Sequence, residues 1–282
     1  MAVTTESISV IDQVRAYWNR RPCNIRHSQS PVGTTEYFDE VEQRKYFVEP
    51  HIPKFAEFER WRGKKVLEIG CGIGTDSINF ARAGADITVV DLSRESLEVC
   101  KKRFDVFGLK AKFYEGDAEH LSEFVPVEKY DLIYSFGVIH HTPHPEKVME
   151  ELRQYCKPET ELRLMLYTKW SWKVLWIILT YGHGAIWRSD ELVSRYSEAQ
   201  EGSPVTYYYS FRGVRWLLRD HYEVVDVHKD HIFPYKIDKY VKYQYEWVWY
   251  FRWLPTPWFA WLERRLGWHT LITARPRSAS TA

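Results

Sequence analysis

The chain is short of everything that would staple it, anchor it or give it one sign of charge. Its 282 residues hold four cysteines, Cys23, Cys71, Cys100 and Cys156. With no close pairs among them, a disulfide framework and zinc-ligand spacing are both excluded, and a reducing compartment, the cytoplasm, is expected. No apolar run approaches the ~20 residues that cross a bilayer; the most apolar stretch is Val174 to Tyr181. The opening residues lack the basic end and apolar run of a secretory leader, so none is expected. The 39 Lys and Arg against 38 Asp and Glu leave a net charge of +1. That balance speaks against a nucleic-acid partner, which calls for a basic surplus or stripe. Repeats and low-complexity linkers are absent as well, which leaves an ordinary soluble chain able to bury its own core.

Aromatic residues are abundant: 13 Trp, 19 Tyr and 14 Phe, dense after Trp170. Most are expected in the core, because large rings dominate burial. The sharper readings are an aromatic-lined pocket or a greasy surface.

The chain divides into three zones. Residues 1–62 carry helical patterns and no strand: Ile11 to Arg20, Thr35 to Val48, and a third helix opening near Pro53 with Phe55, Phe58 and Trp61 along one side. This zone is expected to cap the second one. Residues 63–167 alternate strand and helix, with strands at Lys65 to Ile69, Asp86 to Val90, Ala111 to Tyr114, Tyr130 to Phe136 and Glu161 to Tyr167. Such alternation implies βαβ units and a mainly parallel sheet. Residues 168–282 add a helix from Phe211, strands at Tyr222 to Val227 and Thr270 to Ala274, and an aromatic insertion between them. The tail after Pro276 is expected to fray.

The strongest local signal is Val66-Leu67-Glu68-Ile69-Gly70-Cys71-Gly72-Ile73-Gly74. A strand runs into a turn with glycine at alternate positions, where backbone approaches a ligand closely. Thr75 stands where the dinucleotide fingerprint needs a small third residue, and no Gly-Lys-Ser/Thr comes after it, so the P-loop pattern fails too. Asp91 ends the second strand about 20 residues on, where a carboxylate accepts from both ribose hydroxyls; it also reads as a helix-capping residue. Asp117 comes just after the third strand, where a short acceptor meets the exocyclic amine of an adenine.

From Val66 to Tyr167 the chain resembles the class I S-adenosylmethionine (SAM)-dependent methyltransferases, type 11 by pattern, and within them the small-molecule branch with the quinone and natural-product enzymes. The resemblance implies an α/β, Rossmann-like sheet, mostly parallel with the last strand antiparallel, and SAM as cofactor. It places Glu68, Gly70, Gly72 and Gly74 in the cofactor loop, Asp91 and Leu92 at the ribose, and Asp117 and Ala118 beside the adenine. Ser135, Phe136 and Val138 fall beside the methionine part, and His140, His141 and Pro145 in the loop after strand four. It implies methyl transfer to an O, N or S atom of a small molecule. A membrane-associated lipid or quinone-like acceptor, an RNA or protein acceptor, and SAM binding without chemistry stay open.

Imidazole is the natural base near neutral pH, so His140 and His141 are candidates for that role or for merely holding the loop. With His144 they make no zinc pattern, and no metal site is expected. Tyr17, Trp18, Arg20 and Arg26 in the first zone suit stacking on a substrate and pairing with a carboxylate, or else a solvated basic face. Tyr37 and Tyr46 are weaker substrate candidates, and Tyr207, Tyr208 and Tyr209 read as a pocket wall or a core strand. The Trp-rich stretches prefer interfaces, which brings in peripheral membrane contact. The insertion reads equally as a dimer face or a pocket wall.

Overall fold

The computed structural model describes residues 9–197 and 203–278; the opening residues and the end of the tail lie outside them. Seven strands, β1 (Lys65–Ile69), β2 (Asp86–Asp91), β3 (Lys112–Glu115), β4 (Tyr130–Phe136), β5 (Cys156–Tyr167), β6 (Tyr222–Asp230) and β7 (His269–Pro276), form one sheet in the order β3-β2-β1-β4-β5-β7-β6. The first five run parallel, and β7 is antiparallel to both β5 and β6. The chain leaves β1 toward β2 and β3, then returns to β4 on the other side. The strand order therefore reverses between β1 and β4, which opens a crevice at their carboxyl ends.

Both faces of this sheet are covered, and the period-2 pattern shows it. Val66 of β1 enters one apolar cluster with Ile78, Phe80 and Leu132, while Leu67 enters the other with Ile133, Leu152 and Leu164. A strand buried on both faces needs apolar residues in succession, which is what KVLEI supplies. The covering helices are α1 (Val10–Arg20), α2 (Thr35–Val48), α3 (His51–Ala56), α4 (Thr75–Arg82), α5 (Arg94–Val106) and α6 (Pro145–Arg153). Hydroxyl caps start several of them: Thr34 accepts from the Tyr37 N–H at 3.1 Å, and Ser93 from the Ser96 N–H at 3.1 Å. Beyond β5 come α7 (Trp172–Gly182), α8 (Ser189–Tyr196) and α9 (Phe211–Leu218), and the insertion between β6 and β7 holds α10 (Ile237–Tyr240), α11 (Trp249–Arg252) and α12 (Thr256–Leu266).

Three expectations need correcting. The helix near Pro53 is not one helix: Glu57, at φ +49°, breaks it into α3 and a 3-10 turn over Phe58–Trp61. Glu57 then turns its carboxylate to Arg60 and Arg163. Strand β5 begins at Cys156 rather than Glu161, since a register jump opposite Tyr130 and Leu132 lets the chain bulge. Thr160 holds the bulge by donating to the Tyr130 carbonyl at 2.6 Å. Finally, burial of the aromatics divides by type. Only Phe47 of the described phenylalanines is exposed, but seven tryptophans are: Trp170, Trp187, Trp216, Trp249, Trp253, Trp258 and Trp261. The insertion buries Phe251 and Phe259 with Ile232 against Trp172 as a small core of its own and leaves most of its indoles outside.

A charged cluster ties the N-terminal zone to the sheet. Arg163 of β5 is 4% exposed. Its Nε donates to Glu161 at 2.6 Å, and its Nη atoms reach the Phe55 carbonyl and the Glu57 carboxylate. Arg60 also donates to Glu161, at 2.7 Å.

Candidate active site

A cavity of about 1020 Å³, counting the space at its open mouth, lies over the carboxyl ends of β1, β2 and β4. Its floor is the glycine turn after β1. Gly70 has φ +78°, and a Cβ there would sit 2.2 Å from Cγ2 of Val138, so both conformation and space demand glycine. Gly72 has φ +53°, and its N–H donates to Oδ2 of Asp91 at 2.8 Å.

Asp91 thus holds the loop and faces the cavity at once. Its Oδ1 accepts from the Ser93 N–H at 2.8 Å. The Cys71 thiol and the Leu92 N–H also bear on this carboxylate, and a ligand hydroxyl would meet it from the cavity side. Burial pushes its carboxyl up to about 6, with those backbone bonds pulling the other way. Leu92, Asp117 and Ala118 line the same cavity, and Oδ1 of Asp117 accepts from the Glu119 N–H at 3.0 Å. Glu68 lines it too and accepts from the Ser77 hydroxyl. Burial, with the charge of Asp76 second, pushes the Glu68 carboxyl up to about 8.

The remaining candidates part company. Phe136 and Val138 form wall, but Ser135 is turned away, donating to the Ile69 carbonyl at 3.0 Å to join the ends of β4 and β1. His141 lines the cavity, and its Nδ1 lies 2.8 Å from the Val205 carbonyl. The Ser203 and Thr206 hydroxyls also lie 3.1 and 3.3 Å from Nδ1; the tautomer with its proton on Nδ1 donates to the carbonyl and leaves Nε2 as the basic nitrogen. His140 is fully buried behind it, 3.9 Å from the Tyr167 ring centroid, with no hydrogen-bond partner for either ring nitrogen among the described residues. Burial, then the neighbouring His141, holds His140 well below the usual imidazole range.

In the N-terminal zone, Trp18 lines the cavity with Ile11 and Val14, and its indole meets His141 edge-on at 5.4 Å. Tyr17 and Arg20 instead line a separate, open depression with Glu191 and Arg195. Arg26 is exposed away from the cavity, and its carbonyl accepts from the Tyr243 hydroxyl at 2.8 Å. Tyr37 is core, its hydroxyl spent on the Ile25 carbonyl at 2.8 Å. Tyr46 stands behind the wall, donating to Asp76 at 3.0 Å. Of the three later tyrosines, Tyr209 joins Thr168 in an isolated parallel bridge and Tyr208 binds Asp190.

Two residues that carry no sequence signal of their own also line the cavity. Lys45 of α2 donates to Asp76 of α4 at 2.8 Å, and Asp76 also accepts from Tyr134 at 3.0 Å. The place of Asp76 in the first turn after the glycine loop is the nearest thing to a flag. Lys45 has none, because only packing of α2 on α4 brings it there.

A mostly parallel sheet with a glycine turn after β1 and carboxylates at the ends of β2 and β3 defines a Rossmann-like domain. Residues 66–159 match the family described as a methyltransferase domain. A ubiquinone biosynthesis O-methyltransferase of Actinobacillus pleuropneumoniae is 35% identical over 103 residues, 34% of this chain and 43% of that protein. The same enzyme of Photorhabdus laumondii is 34% identical over 96 residues, 34% of this chain and 40% of that one. The chain thus spans about two fifths of the length of these curated relatives. Magnesium protoporphyrin IX methyltransferase of Synechocystis, solved with S-adenosylhomocysteine (SAH), shares the fold at a TM-score of 0.58 and 16% identity, covering 94% of this chain and 98% of that one. The [4+2]-cyclase SpnF shares it at 0.53 and 14% identity, covering 96% of this chain and 93% of that one. One fold thus carries unlike chemistries, so function rests on the site.

Proposed function

We propose that the protein binds SAM in this cavity and transfers its methyl group to a nucleophilic O, N or S atom of a small organic molecule. The observation that carries the reading is Asp91, a half-buried carboxylate that fixes the glycine turn while lining the cavity. Bound SAM supplies a methyl group on positively charged sulfur, electrophilic toward such an atom. The chain's own residues do the rest. Asp91 takes the ribose hydroxyls, Asp117 the adenine amine, and Phe136 and Val138 flank the methionine end. Lys45, with donors beyond the one spent on Asp76, replaces Arg20 and Arg26 as the cation for a carboxylate. Trp18 shuts water from the mouth, and alignment of the two reactants supplies several kcal/mol of the barrier. His141 receives the acceptor's proton at Nε2, in the tautomer that donates to Val205.

Labelled methyl transfer from SAM to a panel of phenols, amines and thiols tests this. Product is expected with one acceptor class, and with that acceptor His141→Ala lowers kcat by about 10²- to 10⁴-fold while SAH affinity holds. An unchanged kcat removes the base; no product from any acceptor, with SAM bound, removes methyl transfer.

The balanced charge favours no nucleic acid, and the four free thiols suit a reducing compartment. No helix among the described residues is long and apolar enough to cross a membrane. Peripheral contact is a different matter. Trp253, Trp258 and Trp261 are 79%, 65% and 48% exposed, with Arg252 and Arg265 laid against two of those rings. Exposed indoles beside arginine suit an anionic lipid surface. Cosedimentation with phosphatidylglycerol vesicles is expected, and lost on replacing the three tryptophans by serine. If the wild type stays in the supernatant and light scattering shows a dimer that the same variant dissolves, a second copy covers this face instead.

A further inference from the structure

Glu49, His231 and His269 meet from three distant places. Glu49 caps the C-terminal end of α2, His231 comes just after β6, and His269 opens β7, where it pairs with Asp230. One ligand atom from each lies within 4.8 Å of the others. Oε1 of Glu49 is 3.8 Å from Nε2 of His269. That is too long for a hydrogen bond and close to the about 3.3 Å between two ligands of a tetrahedral ion with bonds of about 2.0 Å.

The surroundings hold the ligands in place. Nδ1 of His269 lies 2.9 Å from Nε2 of His51, the kind of contact that fixes a metal-binding imidazole and leaves its other nitrogen for the ion. His231 sits at φ +67°, unusual for a residue other than glycine. It is held there by its N–H to Asp230 at 2.7 Å and by its carbonyl, which accepts from Trp268 at 2.8 Å. Lys173, whose charge acts on His231 and His269, and Lys45, whose charge acts on His51 and is paired with Asp76, oppose a cation here.

We propose that Glu49, His231 and His269 bind one divalent transition-metal ion, with His51 as the positioning residue for His269. Two imidazoles and one carboxylate suit Zn²⁺, Co²⁺ or Fe²⁺ and disfavour Mg²⁺ and Ca²⁺, which want oxygen. The Glu49 side chain, 21% exposed, gives the entry path. The ion joins α2 to the β6–β7 pair. Phe136 packs on His51 and His269 at 5.9 and 5.6 Å and lines the cavity, so the ion also stiffens that wall.

The test uses the full chain stripped with a chelator and titrated with Co²⁺, then Zn²⁺. One equivalent of Co²⁺ is expected to give a ligand-field absorption band that Zn²⁺ abolishes, with a rise in Tm. His51→Phe is expected to weaken binding by roughly 10- to 100-fold. Glu49→Gln, at a partly exposed position, is expected to lose the band while the metal-free Tm stays put. A wild type with no band at stoichiometric Co²⁺, or equal affinity in wild type and Glu49→Gln, overturns the site and leaves a stack of neutral imidazoles. SAH binding, measured in parallel, fails or holds independently, so a failure of the cofactor reading is told apart from a failure of this one.

Discussion

Replacing Asp91 by Ala is expected to weaken SAM and SAH binding at least about 100-fold. The carboxylate accepts from Gly72 and Ser93, both at 2.8 Å, and lines the cavity where two ribose hydroxyls would reach it. Hydrogen bonds to a charged group are worth about 1.5–3 kcal/mol each, so losing the two to the ligand alone costs about 3–6 kcal/mol. At about 1.4 kcal/mol per decade that is two to four orders of magnitude in affinity. Loosening of the Gly72 turn adds to it. The group also sets a pH dependence. Its carboxyl is raised to about 6, so it is ionised above that value, and affinity falls as pH drops through it. Calorimetry with SAH on wild type and variant, at pH 5 and 7.5, reads both effects. Affinity retained within about threefold in the variant would remove Asp91 from the cofactor site, and a folded wild type that binds neither ligand would remove the cofactor itself.

The second large effect is on stability. Arg163→Met is expected to cost about 3–5 kcal/mol, because it strands Glu161, 7% exposed at its side chain, with only the half-exposed Arg60 as partner. The Phe55 carbonyl loses its donor as well. For a chain of this size the loss lowers Tm by roughly 10 °C. The double variant Arg163→Met with Glu161→Gln is expected to recover much of it, since the uncompensated charge has gone. Thermal melts of wild type, both singles and the double measure the coupling. A single variant within about 1 kcal/mol of wild type would show that this cluster does not hold the N-terminal zone on the sheet.

The residues taken in order specify β1, the glycine turn, β2 with Asp91 and β4 almost to the residue, because each is dictated within a few positions of itself. Ser93 and Pro145 start their helices for the same local reason. Glu57 does not announce its break, since the reward for the left-handed turn comes from Arg163, 106 residues away. The start of β5 is hidden because Pro158 obscures a strand that only the bulge against Tyr130 permits. His140 and His141 are neighbours of one chemistry, and nothing local says which of them packs under Tyr167 and which faces the cavity.

Sequence alone determined the sheet's first half, the cofactor turn and the acidic positions after β2 and β3, because backbone conformation and strand polarity are local constraints. Tertiary structure alone decided that Lys45 meets Asp76, that Tyr37 is core rather than wall, and that seven indoles remain outside. It also decided that Glu49, His231 and His269 converge. Those outcomes depend on which faces of distant elements come to oppose one another, and burial, unlike backbone conformation, belongs to the assembled chain.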